Sequence, residues 1–178
     1  LLPDDIPEQF MVSENHSDKS EAELQDRAWE LAKSIGTCMF TTWNGKRQRA
    51  RPMTAFVNRE EHAIYFLTEE DSDMVKQARE YPSVTATFAE VSGNKYLAVS
   101  GQASVANDRA KIKELWNPFA KAWWKSPDDP VIRVVTLTPE DAELWDSPNK
   151  LVATAVMLTA AATGHQRPKL GDKARVDM

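Results

Sequence analysis

The sequence predicts a mainly β domain with flanking helices. Three observations carry that prediction. A strand-like period over 37–43 leads to a return arm at 47–53, and the runs 62–68, 83–90 and 95–106 are rich in β-branched and aromatic residues, with turn chemistry between them. Asn44-Gly45 joins the first two, and this dipeptide is the strongest short hairpin signal. A capped amphipathic helix precedes them all. The pattern predicts a five-stranded antiparallel sheet or barrel.

Each element has a local reason. Residues 1–18 are polar, carry Pro3 and Pro7 and show no period, so they read as an extended arm before a single domain over 19–178. Ser20 and Glu23 form a capping box, Leu24, Ala28, Leu31, Ala32 and Ile35 recur at helical spacing, and Gly36 supplies the stop. Asp71 or Ser72 caps a short helix that runs to about Glu80. Tyr81-Pro82 and Gly93-Asn94 punctuate the strands that follow. After Asp108 a second helix begins, with an aromatic stripe of Ile112, Leu115, Trp116 and Phe119 reaching Trp123 and Trp124, interrupted at Asn117-Pro118. Residues 131–138 form an apolar strand, Pro148-Asn149 opens a small-residue helix ending near Gly164, and a last short strand is placed at 174–176.

The return arm of the hairpin, Arg-Gln-Arg-Ala-Arg-Pro-Met, is the most unusual segment. Alternation predicts that Arg47, Arg49, Arg51 and Met53 share one face. Like charges on one strand face repel, which suits an anion or open solvent opposite them. Pro52 cannot donate to a ladder, so it belongs at an edge or bulge, where backbone is open to a ligand.

Composition narrows the partners. The 178 residues are 42 % hydrophobic with a net charge of -5, which fits one soluble domain and argues against a nucleic-acid partner. One cysteine, Cys38, excludes an internal disulfide and a multi-cysteine zinc site, and suggests a reducing, cytoplasmic setting. No apolar run approaches the roughly 18 residues that span a bilayer, and the acidic start lacks a secretory n-region, so no membrane partner is expected.

Standard catalytic motifs are missing: no dinucleotide glycine fingerprint, no P-loop, no His-Glu-x-x-His and no nucleophile elbow. His16, His62 and His165 lack metal-ligand spacing, and no metal site is expected. What remains is an anion site assembled from the arginine strand and from Thr68, Ser72 and a helix N-terminus. A structural reading competes: Ser72 only caps its helix, and the arginines are a solvated face paired with glutamates. The six tryptophans, four of them Trp116, Trp123, Trp124 and Trp145, build either a core or subunit interface or the wall of a planar cofactor.

These features also occur in a distinctive order. A helix leads to a hairpin with Arg51-Pro52-Met53, a strand ending Phe66-x-Thr68, a helix starting at Ser72, and Tyr81-Pro82-Ser83-Val84 with Phe88. Gly101-x-Ala103-x-Val105 then precedes Asp108 and Leu115-Trp116, followed by Asp128-Asp129-Pro130, Ala-Glu-Leu-Trp-Asp at 142–146 and a final Lys173-Ala174-Arg175-Val176. The order, over about 20–177, resembles the pyridoxamine 5′-phosphate oxidase-related, FMN-binding split-barrel superfamily in its bacterial general stress protein subfamily. The resemblance implies a six-stranded antiparallel split β-barrel that forms a homodimer, with two FMN sites at the subunit interface. It places Arg51, Pro52 and Met53 along the flavin and its phosphate tail, Thr68 on the cofactor and Ser72 on the phosphate. A tryptophan of the partner subunit, Trp124 or Trp116, is expected to close the site.

One position departs from the family pattern. The phosphate motif Ser-x-Lys is here Ser72-Asp73-Met74, which removes a positive charge from the pocket. Lys76 sits about 200° further round a helix from position 74, and Arg49 and Arg79 are further sources of compensating charge. Three functions follow from the resemblance: an FMN-dependent oxidoreductase-like stress protein, a flavin-sequestering protein without turnover, and a barrel that has lost FMN and takes a deazaflavin, haem or a protein partner. No side chain is an obvious general acid or base. No C-terminal substrate signature of authentic pyridoxamine phosphate oxidase is found in 165–178.

Overall fold

The computed structural model describes residues 17–147, 150–163 and 172–178. The arm read over 1–18 falls outside them except for 17 and 18, as do His16, Pro148-Asn149, Gly164 and His165. Helix α1, Glu21–Ile35, begins with the expected capping box. Ser20 Oγ accepts from the Glu23 N–H at 3.3 Å, while the Glu23 carboxylate accepts from the Ser20 N–H at 2.8 Å. Its end is the left-handed Gly36, φ 68°, whose N–H donates to Ala32 O at 3.0 Å.

Strands β1 (Thr37–Trp43) and β2 (Gln48–Thr54) form the Asn-Gly hairpin. Asn44 Oδ1 accepts from the N–H groups of Lys46 at 3.0 Å and Arg47 at 2.9 Å, which fixes a longer turn than a two-residue loop. Arg47 therefore lies in the turn, and Arg49, Arg51 and Met53 of the expected row are on the strand. Strand β3 is Phe56–Asn58, β4 Ala63–Glu69, helix α2 Asp73–Glu80, β5 Ser83–Glu90 and β6 Lys95–Ala106. The aromatic stripe divides at Asn117-Pro118 into α3, Arg109–Glu114, and α4, Ala120–Trp123. Strand β7 is Ile132–Asp146, helix α5 Lys150–Thr163 and β8 Asp172–Asp177.

All strand pairings given are antiparallel, in the order β2-β1-β5-β6-β7-β4-β3, with β8 also on β7. The two ends of this path, β2 and β3, are consecutive in the chain and separated only by Ala55, whose N–H donates to Gly36 O at 2.9 Å. One stretch of chain thus supplies both margins of the sheet, which is how it curls into a barrel. The expected barrel is present, with eight strand segments among the described residues where six were expected. A break at Ala55 accounts for one, and β8 adds another beside β7.

Strand β7 runs well past 138 because its Pro139, which has no N–H to give, sits opposite Gly101 where the β6–β7 register shifts. A Cβ on Gly101 would lie 2.0 Å from Thr138 O, so only glycine admits this close approach. Strand β4 explains the layering. Its Ile64 and Phe66 face the main core with Phe40, Phe88, Leu97 and α1, while Ala63, Tyr65 and Leu67 face a second cluster with Ile112, Ala120, Ile132 and Val134. The Phe40 and Phe66 rings meet at 4.6 Å. Helix α2 turns Met74, Val75 and Ala78 into the main core.

Candidate functional site

A cleft of about 340 Å³ opens where the β2 margin, the end of β4, the start of α2 and helix α4 meet. That volume is within the roughly 300–1,000 Å³ of small-molecule sites. Pro52, Met53, Thr54 and Phe56 form one side, Leu67, Thr68, Glu69 and Ser72 the floor, and Phe119, Trp123 and Trp124 the opposite wall. The β2 strand is a sheet margin, as Pro52 required, and β4 delivers Thr68 to the cleft because it stops there and turns into α2.

The polar end of the cleft is built on Ser72. Its hydroxyl accepts from the Val75 N–H at 3.2 Å, capping α2, and from Thr68 Oγ1 at 3.3 Å. Both bonds use Ser72 as acceptor, so its own proton is left to donate to a ligand. The capping and anion-binding readings of Ser72 are thus compatible. Glu69 is the only ionisable residue among those lining the cleft, and its carboxylate accepts from Trp124 Nε1 at 3.2 Å.

Arg51 lies one residue before that wall and turns to the inner face, level with Phe40. Its Nη1 donates to Thr42 Oγ1 at 2.9 Å and its Nη2 to Gln77 Oε1 at 3.0 Å, while Thr42 Oγ1 donates to the same Gln77 oxygen at 2.5 Å. Burial pulls this guanidinium below its ordinary value; nearby Asp73 opposes that shift and Arg49 adds to it. Among the described residues no carboxylate bonds to Arg51, so a half-buried cation has only neutral partners.

The remaining expected residues fall elsewhere. Arg49 is exposed on the same strand face beside Arg51, and Lys76 is exposed on the side of α2 away from the core. Trp116 packs against the second cluster and does not line the cleft. Arg79 is committed to Glu70 through bonds of 2.6 and 3.0 Å, and Arg133 also pairs with Glu70. Arg79 and then Arg133 hold the Glu70 carboxyl below the usual range. Met74, at the departure from the family pattern, is 2 % exposed inside the main core and does not reach the cleft.

Sequence reasoning did not single out Phe56, Leu67, Glu69 or Asn117. It named Phe119 and Trp123 only as part of a stripe. Their signal was available: Phe119 and Trp123 lie just beyond a proline that breaks the helix, which turns them away from the face that Ile112 and Trp116 bury. Among the described residues no cluster of histidine, cysteine and carboxylates suits a metal ion, and no helix is long and apolar enough to cross a membrane. The His62 ring donates from Nε2 to Pro139 O at 3.0 Å and meets Trp29 edge-on, which is a packing role.

Known proteins share this architecture. A general stress protein 26 structure from Jannaschia sp. CCS1 superposes with a TM-score of 0.72 at 21 % identity, covering 89 % of this chain and 100 % of that one. The general stress FMN/FAD binding protein of Xanthomonas citri gives 0.63 at 27 % identity, covering 72 % and 91 %. General stress protein 26 of Bacillus subtilis (strain 168) is 26 % identical over 90 residues, 49 % of this chain, and the match spans 64 % of that relative's length. With the pyridoxamine 5′-phosphate oxidase like family matched over residues 23–169 and the split barrel closed as described, the chain belongs to that family.

Proposed function

We propose that this chain binds FMN in the β2–β4–α4 cleft and acts as a cytoplasmic flavin-dependent oxidoreductase-like protein of the stress response, working as a homodimer with its cofactor sites at the subunit interface. One observation carries the reading: Pro52, Met53, Thr68, Ser72 and Trp124, scattered over 73 positions of sequence, line a single cleft. The names of the Bacillus and Xanthomonas relatives support it, the latter being called an FMN/FAD binding protein.

The residues present fit the cofactor. Pro52, Met53, Phe56 and Trp123 give a planar ring an apolar surface, Ser72 offers a hydroxyl proton, and Arg51 is a cation without an anionic partner. A bound flavin supplies the redox chemistry itself, by accepting and passing on electrons. The chain's part is to bind and orient it and to exclude water. Thr68 and Ser72 hold polar groups, Arg51 balances negative charge, and Glu69 keeps Trp124 in place. The departure at position 74 matters less than the sequence suggested, since that side chain belongs to the core and Arg51 carries the charge.

A second reading, flavin storage without turnover, draws on the same cleft, because its one carboxylate is already engaged by Trp124. The absorbance spectrum of purified protein, before and after adding FMN, tests the binding. Flavin bands that bleach with NADH or NADPH support the oxidoreductase; bands that persist under both support storage. No bands in either sample refute both.

A further inference from the structure

We infer that Arg109 is a positioning residue for the cleft: it fixes the strap of chain that carries the aromatic wall. The inference rests on the flavin reading only for its ligand measurement. The strap is the connection between α3 and β7, residues 115–131, and it has little to hold it in shape. Its helix, α4, is 4 residues long. An isolated helix shorter than about 12–15 residues is marginal in water, so α4 does not stand by itself. The bonds around it close within the strap: the Ala120 N–H donates to Asn117 Oδ1 at 2.9 Å, and the N–H groups of Ala122 and Trp124 donate to Phe119 O and Ala120 O at 3.0 Å. Ala120 is buried and Trp116 and Trp124 are half-buried, but the wall residues Phe119 and Trp123 are exposed.

Arg109 supplies an anchor from outside. It is the first residue of α3, and its guanidinium spans the turn that follows Trp124. Nη1 donates to Asp129 O at 2.7 Å and to Pro127 O at 3.4 Å, and Nη2 donates to Ile132 O at 2.6 Å. Nε is buried without a hydrogen-bond partner among the described residues. Carboxylates are close in sequence but engaged elsewhere: Asp128 pairs with Lys113 at 2.9 Å, and Asp129 Oδ1 accepts from the Val131 N–H at 3.1 Å. The charge of Arg109 is therefore spent on backbone carbonyls. Such charge-assisted bonds are stronger than neutral ones, and a planar fork that meets several carbonyls at once fixes direction as well as distance. The exposed Lys113–Asp128 pair adds little to that.

The turn held by Arg109 is also joined to the floor of the cleft. Ile132 opens β7 opposite Glu69, the Glu70 N–H donates to Val131 O at 2.8 Å, and Glu69 accepts from Trp124 Nε1 at 3.2 Å. Floor, turn and wall thus form one short circuit of chain, and the guanidinium closes its outer side. Its bonds go to this turn alone, so removing the fork frees the strap and leaves the barrel closed. The wall then loses its set distance from Pro52 and Met53 across the cleft.

Limited trypsin digestion of flavin-free protein, read by mass spectrometry, tests the strap without any ligand. Arg109→Met keeps the apolar stem and removes the fork; Arg109→Lys keeps the charge without the fork, and carries the test if the methionine variant does not fold. Both are expected to be cut after Lys121 and Lys125 about tenfold faster than the unaltered chain, at unchanged circular dichroism. Arg27→Met is the control. It loses bonds to Asp146 at 2.6 Å and Glu30 at 3.1 Å, outside the cleft, and is expected to leave those two cuts at their original rate. In flavin titrations the Arg109 variants are expected to bind FMN and riboflavin more weakly by the same factor, about tenfold, because a ring wall is displaced and no phosphate charge is lost. Unchanged cutting in a folded Arg109 variant, or equal acceleration in Arg27→Met, overturns the inference. Faster cutting with unchanged flavin affinity overturns the role in the cleft. An unaltered chain that takes up no flavin removes the flavin reading alone, and the digestion still decides whether Arg109 holds the strap.

Discussion

Replacing Arg51 with alanine removes a half-buried cation next in sequence to the cleft residue Pro52, and the two bonds it gives to Thr42 and Gln77. The fold should tolerate the change. Gln77 Oε1 keeps the Thr42 hydroxyl as a donor at 2.5 Å, and the loss of two bonds is offset by relief of a partly desolvated cation that has Asp73 nearby but only neutral hydrogen-bond partners. Ligand affinity should not tolerate it. A bond from a charged group is worth about 1.5–3 kcal/mol, so the FMN dissociation constant should rise roughly 10- to 150-fold. Riboflavin, which lacks the phosphate, should lose about threefold or less. Quenching of flavin fluorescence on titration reads both constants. Arg47→Ala is the control, since Arg47 is exposed in the hairpin turn. Equal losses for Arg47→Ala and Arg51→Ala, or equal losses of FMN and riboflavin, would refute the assignment of phosphate charge to Arg51.

Other outcomes follow from particular contacts. Gly101→Ala forces a Cβ to within 2.0 Å of Thr138 O and 3.0 Å of the Glu140 nitrogen, both backbone, and should cost about 3 kcal/mol or more in urea unfolding. Trp123 is 79 % exposed, so Trp123→Ala should change stability by about 0.5 kcal/mol or less yet weaken FMN binding by about 0.5–1.5 kcal/mol; unchanged affinity would remove this residue from the cofactor wall. Burial pushes the Cys38 thiol up to about 12 from an ordinary 9.0. The folded state thus favours the neutral thiol: its contribution is complete below pH 9.0 and is lost as pH rises toward about 12. Cys38→Ala should flatten that part of the stability profile, and the native thiol should resist alkylation at neutral pH.

The fold was largely legible because its strongest signals are local. Ser20 and Glu23 with Gly36 bound the first helix, and Asn44-Gly45 makes the hairpin whatever the rest of the chain does. Errors arose where a distant residue decides. Pro139 ended the predicted strand at 138, and only Gly101, far away in sequence, lets β7 continue to Asp146. Arg47 joined the predicted strand because period-2 reasoning does not see that the Asn44 side chain holds its N–H in a turn. For the candidate site, Pro52, Met53, Thr68, Ser72 and Trp124, named from strand ends, helix starts and motif order, all line one cleft. Arg49, Lys76 and Trp116, named beside them, do not line that cleft. At position 74 the missing lysine put FMN affinity in question, and helix α2 turns the methionine that stands there into the core. Glu69 was invisible as a cleft residue because its partner, Trp124, is 55 positions away.

Equilibrium dialysis of flavin-free protein against FMN, with Thr68→Trp beside the unaltered chain, tests the assigned cleft most directly. The account predicts saturable binding of one FMN per chain, lost when the indole fills the space between β4 and α4 while circular dichroism is unchanged. Undiminished binding by folded Thr68→Trp, or no binding by the unaltered chain, would contradict it.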